Sequence, residues 1–362
     1  MPKNSNNQSL QQEVRKMRVF EGYQKGVNLG GWISQCVSYE KEHFDTFITK
    51  ADIDRIATWG LDHVRLPIDY DMIVSDDGIW KEEGFCYIDS CLSWAKAAGL
   101  NVILDIHKTK GYMFDTKVVA DGDLFFREKE LQDFFVALWV EMAKRYGQYK
   151  DFVAFELLNE VVNPAVSTIW NGIIRRTIEA VRAVAPDTYI LVGGVCYNSV
   201  SCVSKLDDPY DDKIVYNFHC YEPLVFTHQA AYWVVDMPAD FHTGYPKTAA
   251  EYRETGKNIA QASCGALFEN GIEADDAGVI IFEKLFADAV AFAEEKNVPL
   301  YCGEYGVIDQ APLADTVRWF EDIHAVFEKH GIGRAVWNYK QKDFGLVDSH
   351  YADVLDELVK NL

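Results

Sequence analysis

Eight short apolar runs recur along this chain, and most are followed by an amphipathic segment. The runs are residues 26–29, 63–66, 102–107, 153–159, 189–193, 214–219, 300–305 and 333–338. None alternates cleanly between apolar and polar, as expected of parallel strands buried on both faces. Helical patterns lie between them at residues 50–59, 87–98, 131–146, 167–185, 278–296 and 315–330. They end at Gly60, Gly99, Gly147, Pro186, Asn297 and Gly331, all residues that stop helices. This alternation predicts an α/β fold, a (β/α)8 TIM barrel. A doubly wound open sheet is the rival, but it usually carries a glycine-rich phosphate loop after its first strand. Here Gly30, Gly31 and Trp32 follow instead.

One segment breaks the rhythm. Between Tyr221 and about Asp276 lies a long insertion, roughly residues 222–276, with aromatics and two prolines, Pro238 and Pro246. Connections that long usually carry function or a small subdomain. This one follows the sixth strand and so belongs over the barrel's C-terminal face. Residues 1–20 are expected to form a disordered tail and residues 21–362 a single domain. With 362 residues, 49% of them hydrophobic, the chain can bury a large core.

The formal net charge of −21 argues against nucleic acid or an anionic membrane as partner. No apolar run is long enough to span a bilayer. The eight cysteines show no CxxC pair, and Cys196, Cys220 and Cys302 sit in apolar runs. Free, mostly buried thiols are expected. The polar first dozen residues hold no apolar core of a signal peptide. A cytoplasmic chain is expected on this reading, or a secreted one if a signal has been removed.

In a barrel of this kind, chemistry sits where strands end. The expected strand ends present Asn28, Arg65, His107, Asn159 with Glu160, Asn198, His219 with Tyr221, Glu304, and Trp337. Two carboxylates on separate strands are what glycoside hydrolysis requires, one as proton donor and one as nucleophile or base. Arg65 and Tyr221 can hold Glu304 charged by hydrogen bonding. Asn159 can bind a sugar 2-hydroxyl, and Trp337 can offer a flat face to a pyranose. Glu156 shares the parity of Glu160 but lies four residues earlier, so a structural pairing with Arg65 is expected. Asp105, two residues before His107, takes the same reading.

Residues 26–32, 63–67, 104–107, 157–160, 217–221, 303–306 and 336–340 together resemble glycoside hydrolase family 5 of clan A, in the family's order. Residues 30–35, 42–49 and 227–229 are most similar to the CelC-type endo-β-1,4-glucanases within it. The resemblance implies a retaining endo-β-1,4-glucanase acting on cellulose-like or mixed-linkage β-glucan, with Glu160 as acid/base and Glu304 as nucleophile; with no obvious linker or binding module in the sequence, a stand-alone catalytic domain is expected. The resemblance implies Arg65, His107, Asn159, His219, Tyr221 and Trp337 around them and Trp233 facing substrate from the insertion; Asn28 is expected beside them from its place at a strand end. The resemblance implies no cofactor and no metal, and a monomer is expected. Lys108 departs from the pattern, standing where many relatives have a second histidine, and the loop of residues 109–123 differs in length and charge.

β-Mannan, xyloglucan and β-1,3-glucan remain open as substrates within the family. A metal-dependent barrel enzyme is the alternative class, because His107, His219, Glu160 and Glu304 are competent ligands. No HxH or HExxH spacing supports it. A non-catalytic carbohydrate-binding barrel typically lacks one carboxylate, and both are present here. Trp32, Tyr112, Phe114, Trp170 and Trp233 divide between rim platforms for sugar and ordinary packing.

Overall fold

Eight parallel strands close on themselves in sequence order in the computed structural model, which describes residues 17–115, 122–259, 266–268 and 271–362. They are β1 (Lys25–Asn28), β2 (His63–Asp69), β3 (Asn101–Lys108), β4 (Val153–Glu156), β5 (Ile190–Gly193), β6 (Ile214–Cys220), β7 (Leu300–Tyr305) and β8 (Gly333–Val336). The ring shuts where Lys25, Gly26 and Val27 pair with Arg334, Ala335 and Val336. Long helices at Glu82–Ala98, Lys129–Tyr146, Ser167–Arg182, Val279–Lys296 and Leu313–His330 surround it, with the shorter Lys50–Thr58. Gly99 and Gly331 end two of them in the left-handed conformation, at φ +76° and +67°.

Three differences from the sequence reading have physical causes. β4 stops at Glu156 rather than running to residue 159. Phe155 donates to Tyr189, just before β5, and Leu157 to Leu191 within it, whereas Asn159 donates to Ile106 of β3 at 3.1 Å. The backbone therefore bends from one neighbour to the other before Glu160. Between β5 and β6, where no helical pattern is read from the sequence, the connection holds a 3-10 helix, Val200–Lys205, in place of the α-helix that a regular (β/α)8 alternation implies. Cys196, Tyr197 and Asn198 have consecutive positive φ values of 58°, 57° and 56°, which turn the chain tightly out of β5.

The third difference is at the N-terminus. Residues 1–16 lie outside the described residues, but Met17 to Phe20, expected in the tail, are folded. Phe20 is fully buried and stacks on Tyr23 at 4.2 Å. With Tyr23 it caps an inner layer of Ile103, Ala154, Leu191, Val215, Tyr301 and Ala335, one residue from each of six strands. Phe20→Ala should cost about 3–5 kcal/mol; urea unfolding of the two proteins checks this.

The insertion is built against the barrel. Its described part includes Leu224–Thr227 and Ala249–Gly256, the latter opened by a Thr248–Glu251 capping box. Tyr245 Oη donates to Asp322 at 2.6 Å, and Trp319 Nε1 donates to the Glu222 carbonyl at 2.9 Å. Both partners on the barrel side lie on Leu313–His330. Cys36, Cys86, Cys91, Cys202, Cys220 and Cys302 are free thiols, and Cys264 lies outside the described residues. Among the described residues, no helix is long and apolar enough to cross a membrane.

Candidate active site

Arg65, on the inner face of β2, is completely buried at the floor of the barrel mouth. Its Nε and Nη2 donate to the two oxygens of Glu156 at 2.7 and 2.8 Å. Nη1 donates to Glu304 Oε1 at 2.9 Å and to Asn28 Oδ1 at 2.8 Å. Nη2 also reaches Asn159 Oδ1 at 2.9 Å and Asp105 Oδ2 at 3.0 Å. One guanidinium thus ties β1, β2, β3, β4 and β7 together. Asn217 Nδ2 adds a hydrogen bond to Glu156 Oε1 at 2.8 Å. Glu156 and Asp105 are the structural acids expected from their depth.

Glu304 arrives opposite His219 because the β6–β7 register slips past Gly303. A Cβ at position 303 would lie 2.8 Å from Asn217 Oδ1 and 3.0 Å from His219 Nε2, so only glycine lets the strands approach here. Tyr221 Oη donates to Glu304 Oε2 at 3.0 Å. Across the mouth, His219 Nδ1 lies 2.8 Å from Glu160 Oε1 and 3.7 Å from Glu304 Oε2. One carboxylate oxygen from each glutamate and one His219 ring nitrogen all fall within 4.8 Å of one another.

The two carboxylates occupy different fields. Burial pushes Glu160 well above the usual range, and the charge of Glu304 pushes it further. Burial raises Glu304 too, but Arg65 and the Tyr221 hydroxyl work against that rise. Of the two, Glu304 is the one held by partners that favour the anion. Burial pushes His219 well below its ordinary value, and Tyr221 far above its own, so both are neutral near pH 7.

The profile of the cellulase family (glycosyl hydrolase family 5) matches residues 21–343. Endoglucanase C of Acetivibrio thermocellus is 42% identical over 343 residues, 94% of this chain and 98% of that protein. Cellodextrinase A of Ruminococcus flavefaciens is 42% identical over 318 residues, covering 88% of this chain and 86% of that protein. The chain belongs to glycoside hydrolase family 5. It is a glycoside hydrolase. The fold agrees: endoglucanase Cel5A from the hyperthermophilic Thermotoga maritima superposes with a TM-score of 0.72 at 21% identity, covering 94% of this chain and 97% of that one.

The barrel of this family 5 enzyme gathers the residues expected at its mouth, but not all to one purpose. Asn28 is consumed by the framework: it accepts from Arg65, and its Nδ2 faces the carbonyls of Gly303, Ala335 and Val336 at 2.9–3.2 Å. Asn198 sits one layer back, where its carbonyl accepts from the His219 N–H at 2.8 Å. Asn159 keeps a buried Nδ2 without a hydrogen-bond partner, as does His219 at Nε2. Trp337 lies parallel to His107, with ring centroids 5.7 Å apart and planes 8° apart. Gly30 makes that possible, since a Cβ there would fall 2.4 Å from the indole.

Lys108, the departure from the family pattern, leaves the site altogether. It donates to Asp71 Oδ2 at 2.7 Å and lies over the Tyr70 ring. Trp32 and Trp170 are packing residues, fully buried, with their indole N–H groups on the carbonyls of Phe44 and Gly193. Tyr112 is buried and pins the Glu160 backbone, donating to its carbonyl at 2.7 Å and accepting from Val162 N at 2.8 Å. Phe114 stands edge-on to His107 at 5.4 Å. Part of its loop, residues 116–121, lies outside the described residues.

Trp233 is half-buried in the insertion, 6.0 Å from His228 and 6.3 Å from Phe344. Both of those rings pack on Tyr221, at 4.9 and 5.8 Å. The insertion is thereby linked to Glu304 through aromatic contacts. His228, Phe344 and Asn217 were not singled out from the sequence for any role here. Phe344 carries no local signal at all, because its place depends on the turn formed by Gln341, Lys342 and Asp343, all with positive φ near 60°.

Proposed function

We propose that this enzyme is a retaining endo-β-1,4-glucanase acting on cellulose-like or mixed-linkage β-glucan. The observation that carries the proposal is the approach of Glu160 and Glu304, with oxygens within 4.8 Å across the barrel mouth. Retaining glycosidases hold their two carboxyl groups about 5–5.5 Å apart, and inverting ones leave room for a water between them. Glu304 attacks the anomeric carbon while Glu160 gives its proton to the departing oxygen. Glu160 then takes a proton from water, which releases the sugar from Glu304. Arg65 and Tyr221 support the assignment by favouring the anion at Glu304, and burial supports it by favouring the acid at Glu160.

The unpartnered Asn159 Nδ2 supports a hydrogen bond to a substrate hydroxyl beside the reacting carbon. Trp337 supports a sugar platform, and Trp233 extends the cleft into the insertion. The endoglucanase name of one relative favours internal cleavage of long chains, and the cellodextrinase name of the other favours short ones. Hydrolysis of barley β-glucan, carboxymethyl-cellulose, cello-oligosaccharides, mannan, xyloglucan and β-1,3-glucan, followed by proton NMR, tests the proposal. β-1,4-Glucan should be cleaved fastest and the β-anomer should appear first. An α-anomer as first product, or preference for mannan, would contradict it.

A further inference from the structure

The loop after β1 makes a contact that the double displacement does not use. Gln35 has φ +52°, a left-handed conformation that costs a non-glycine residue roughly 1 kcal/mol or more. The end of β2 holds it there. Ser34 Oγ donates to Asp69 Oδ1 at 2.7 Å, Asp69 N donates to the Ile33 carbonyl at 3.0 Å, and Gln35 N faces Asp69 Oδ2 at 3.4 Å. The turn brings Gln35 Nε2 to 3.0 Å from His107 Nε2. On the far side of the ring, His107 Nδ1 lies 2.7 Å from Asp105 Oδ2, the oxygen that also faces Arg65 Nη2.

These contacts determine where the proton sits. An Asp105 oxygen beside a guanidinium accepts, so His107 Nδ1 carries the hydrogen. Nε2 then carries the lone pair, and Gln35 presents its NH2 group to it. Trp337 lies parallel to one face of the same ring. His107 is therefore held at both ring nitrogens and on one face, and Gln35 supplies the contact that comes from the loop after β1.

We propose that Gln35 is a positioning residue of the catalytic centre: with Asp105 it locks His107 as the neutral Nδ1–H tautomer, oriented beside Trp337 and Glu304. Neutrality matters because the ring lies in the field of Arg65, Asp69, Asp105, Glu156, Glu304 and, more distantly, His219. A charged imidazolium would join Arg65 as a second cation near Glu304, stabilise the attacking carboxylate in the ground state and slow its attack. Burial already pushes His107 down to about 4. A carboxylate in place of the Gln35 amide would reverse that by demanding a proton at Nε2.

The test uses the full-length enzyme and two variants, Gln35→Glu and Gln35→Met. Imidazole NMR signals, assigned to His107 by their loss in His107→Gln, should stay fixed from about pH 5 to 8 in the native enzyme and titrate in Gln35→Glu. In the same variant, kcat/KM should fall by an extra factor of about 10 on the acid side, with KM within about 2-fold. Gln35→Met should lose about 10-fold in kcat without gaining a titration. The proposal is overturned by a pH profile of Gln35→Glu that superimposes on the native one, by a His107 that does not titrate there, or by native kcat in Gln35→Met. The kinetic arm rests on the two-carboxylate reading of the site. The NMR arm does not, so failure of that reading is seen separately, as absence of glucan hydrolysis by the native enzyme.

Discussion

Glu304→Gln should lower kcat on β-glucan by at least about 10⁴-fold, because the amide is nearly the same shape but cannot form the glycosyl-enzyme. Circular dichroism should leave the variant indistinguishable from the native fold. Glu160→Ala should lose comparable activity on natural substrates, yet on an aryl cellobioside, whose leaving group needs no proton, azide should restore turnover by attacking the glycosyl-enzyme directly. Azide should not restore Glu304→Gln in the same way. The contrast follows from the two roles: without Glu304 no glycosyl-enzyme forms, whereas without Glu160 one can form but lacks a base to activate water, and the grip of Arg65 and Tyr221 on Glu304 is what assigns it the nucleophile's role. A Glu304→Gln variant turning over at near the native rate would remove the basis of the assignment. The pH profile should be bell-shaped, falling on the acid side as Glu304 takes a proton and on the alkaline side as Glu160 loses one.

Arg65→Met should be the most destabilising single substitution in the site, at about 3–5 kcal/mol. It removes the cation from beneath Glu156, Asp105 and Glu304, which are themselves buried. The pH dependence has a definite sign. Even with Arg65 present, burial raises Asp105 and Glu156 to about 7, above their values in an unfolded chain. Such groups bind more protons when folded, so their unfavourable contribution grows as pH rises from roughly 4 toward 7. Removing Arg65 raises them further, so the loss in stability should be larger at about pH 8 than at about pH 5. Urea melts of both proteins at the two pH values check the magnitude and the sign. Equal loss at both would mean that the floor carboxylates do not titrate with folding.

Much of this site was legible in the primary structure because barrel chemistry and strand ends coincide. Glu160, Glu304, Arg65, His107, Asn159, His219, Tyr221 and Trp337 all lie near or just past the ends of apolar runs, and in a parallel barrel those ends share one rim. Glu156 and Asp105 were separable from Glu160 by depth alone, since each residue along a strand descends about 3.3 Å. The N-terminal boundary was less legible. Residues 17–20 follow a polar tail, and their short apolar stretch, Met17, Val19 and Phe20, does not by itself say what it packs against. Its partner is an inner layer assembled from six strands far apart in the chain.

What the sequence by itself determined is the (β/α)8 order and the types of group at its mouth, because apolar periodicity and strand-end chemistry are local properties. Only the tertiary structure decided how those groups divide their work. Asn28 belongs to the framework, Lys108 pairs outside the site with Asp71, Trp32 and Trp170 are core, and Gln35 meets His107. Each of these outcomes depends on barrel closure, on the slip past Gly303, or on the path of a loop. Those are relations between segments distant in sequence, and a residue's own neighbours in the chain do not encode them.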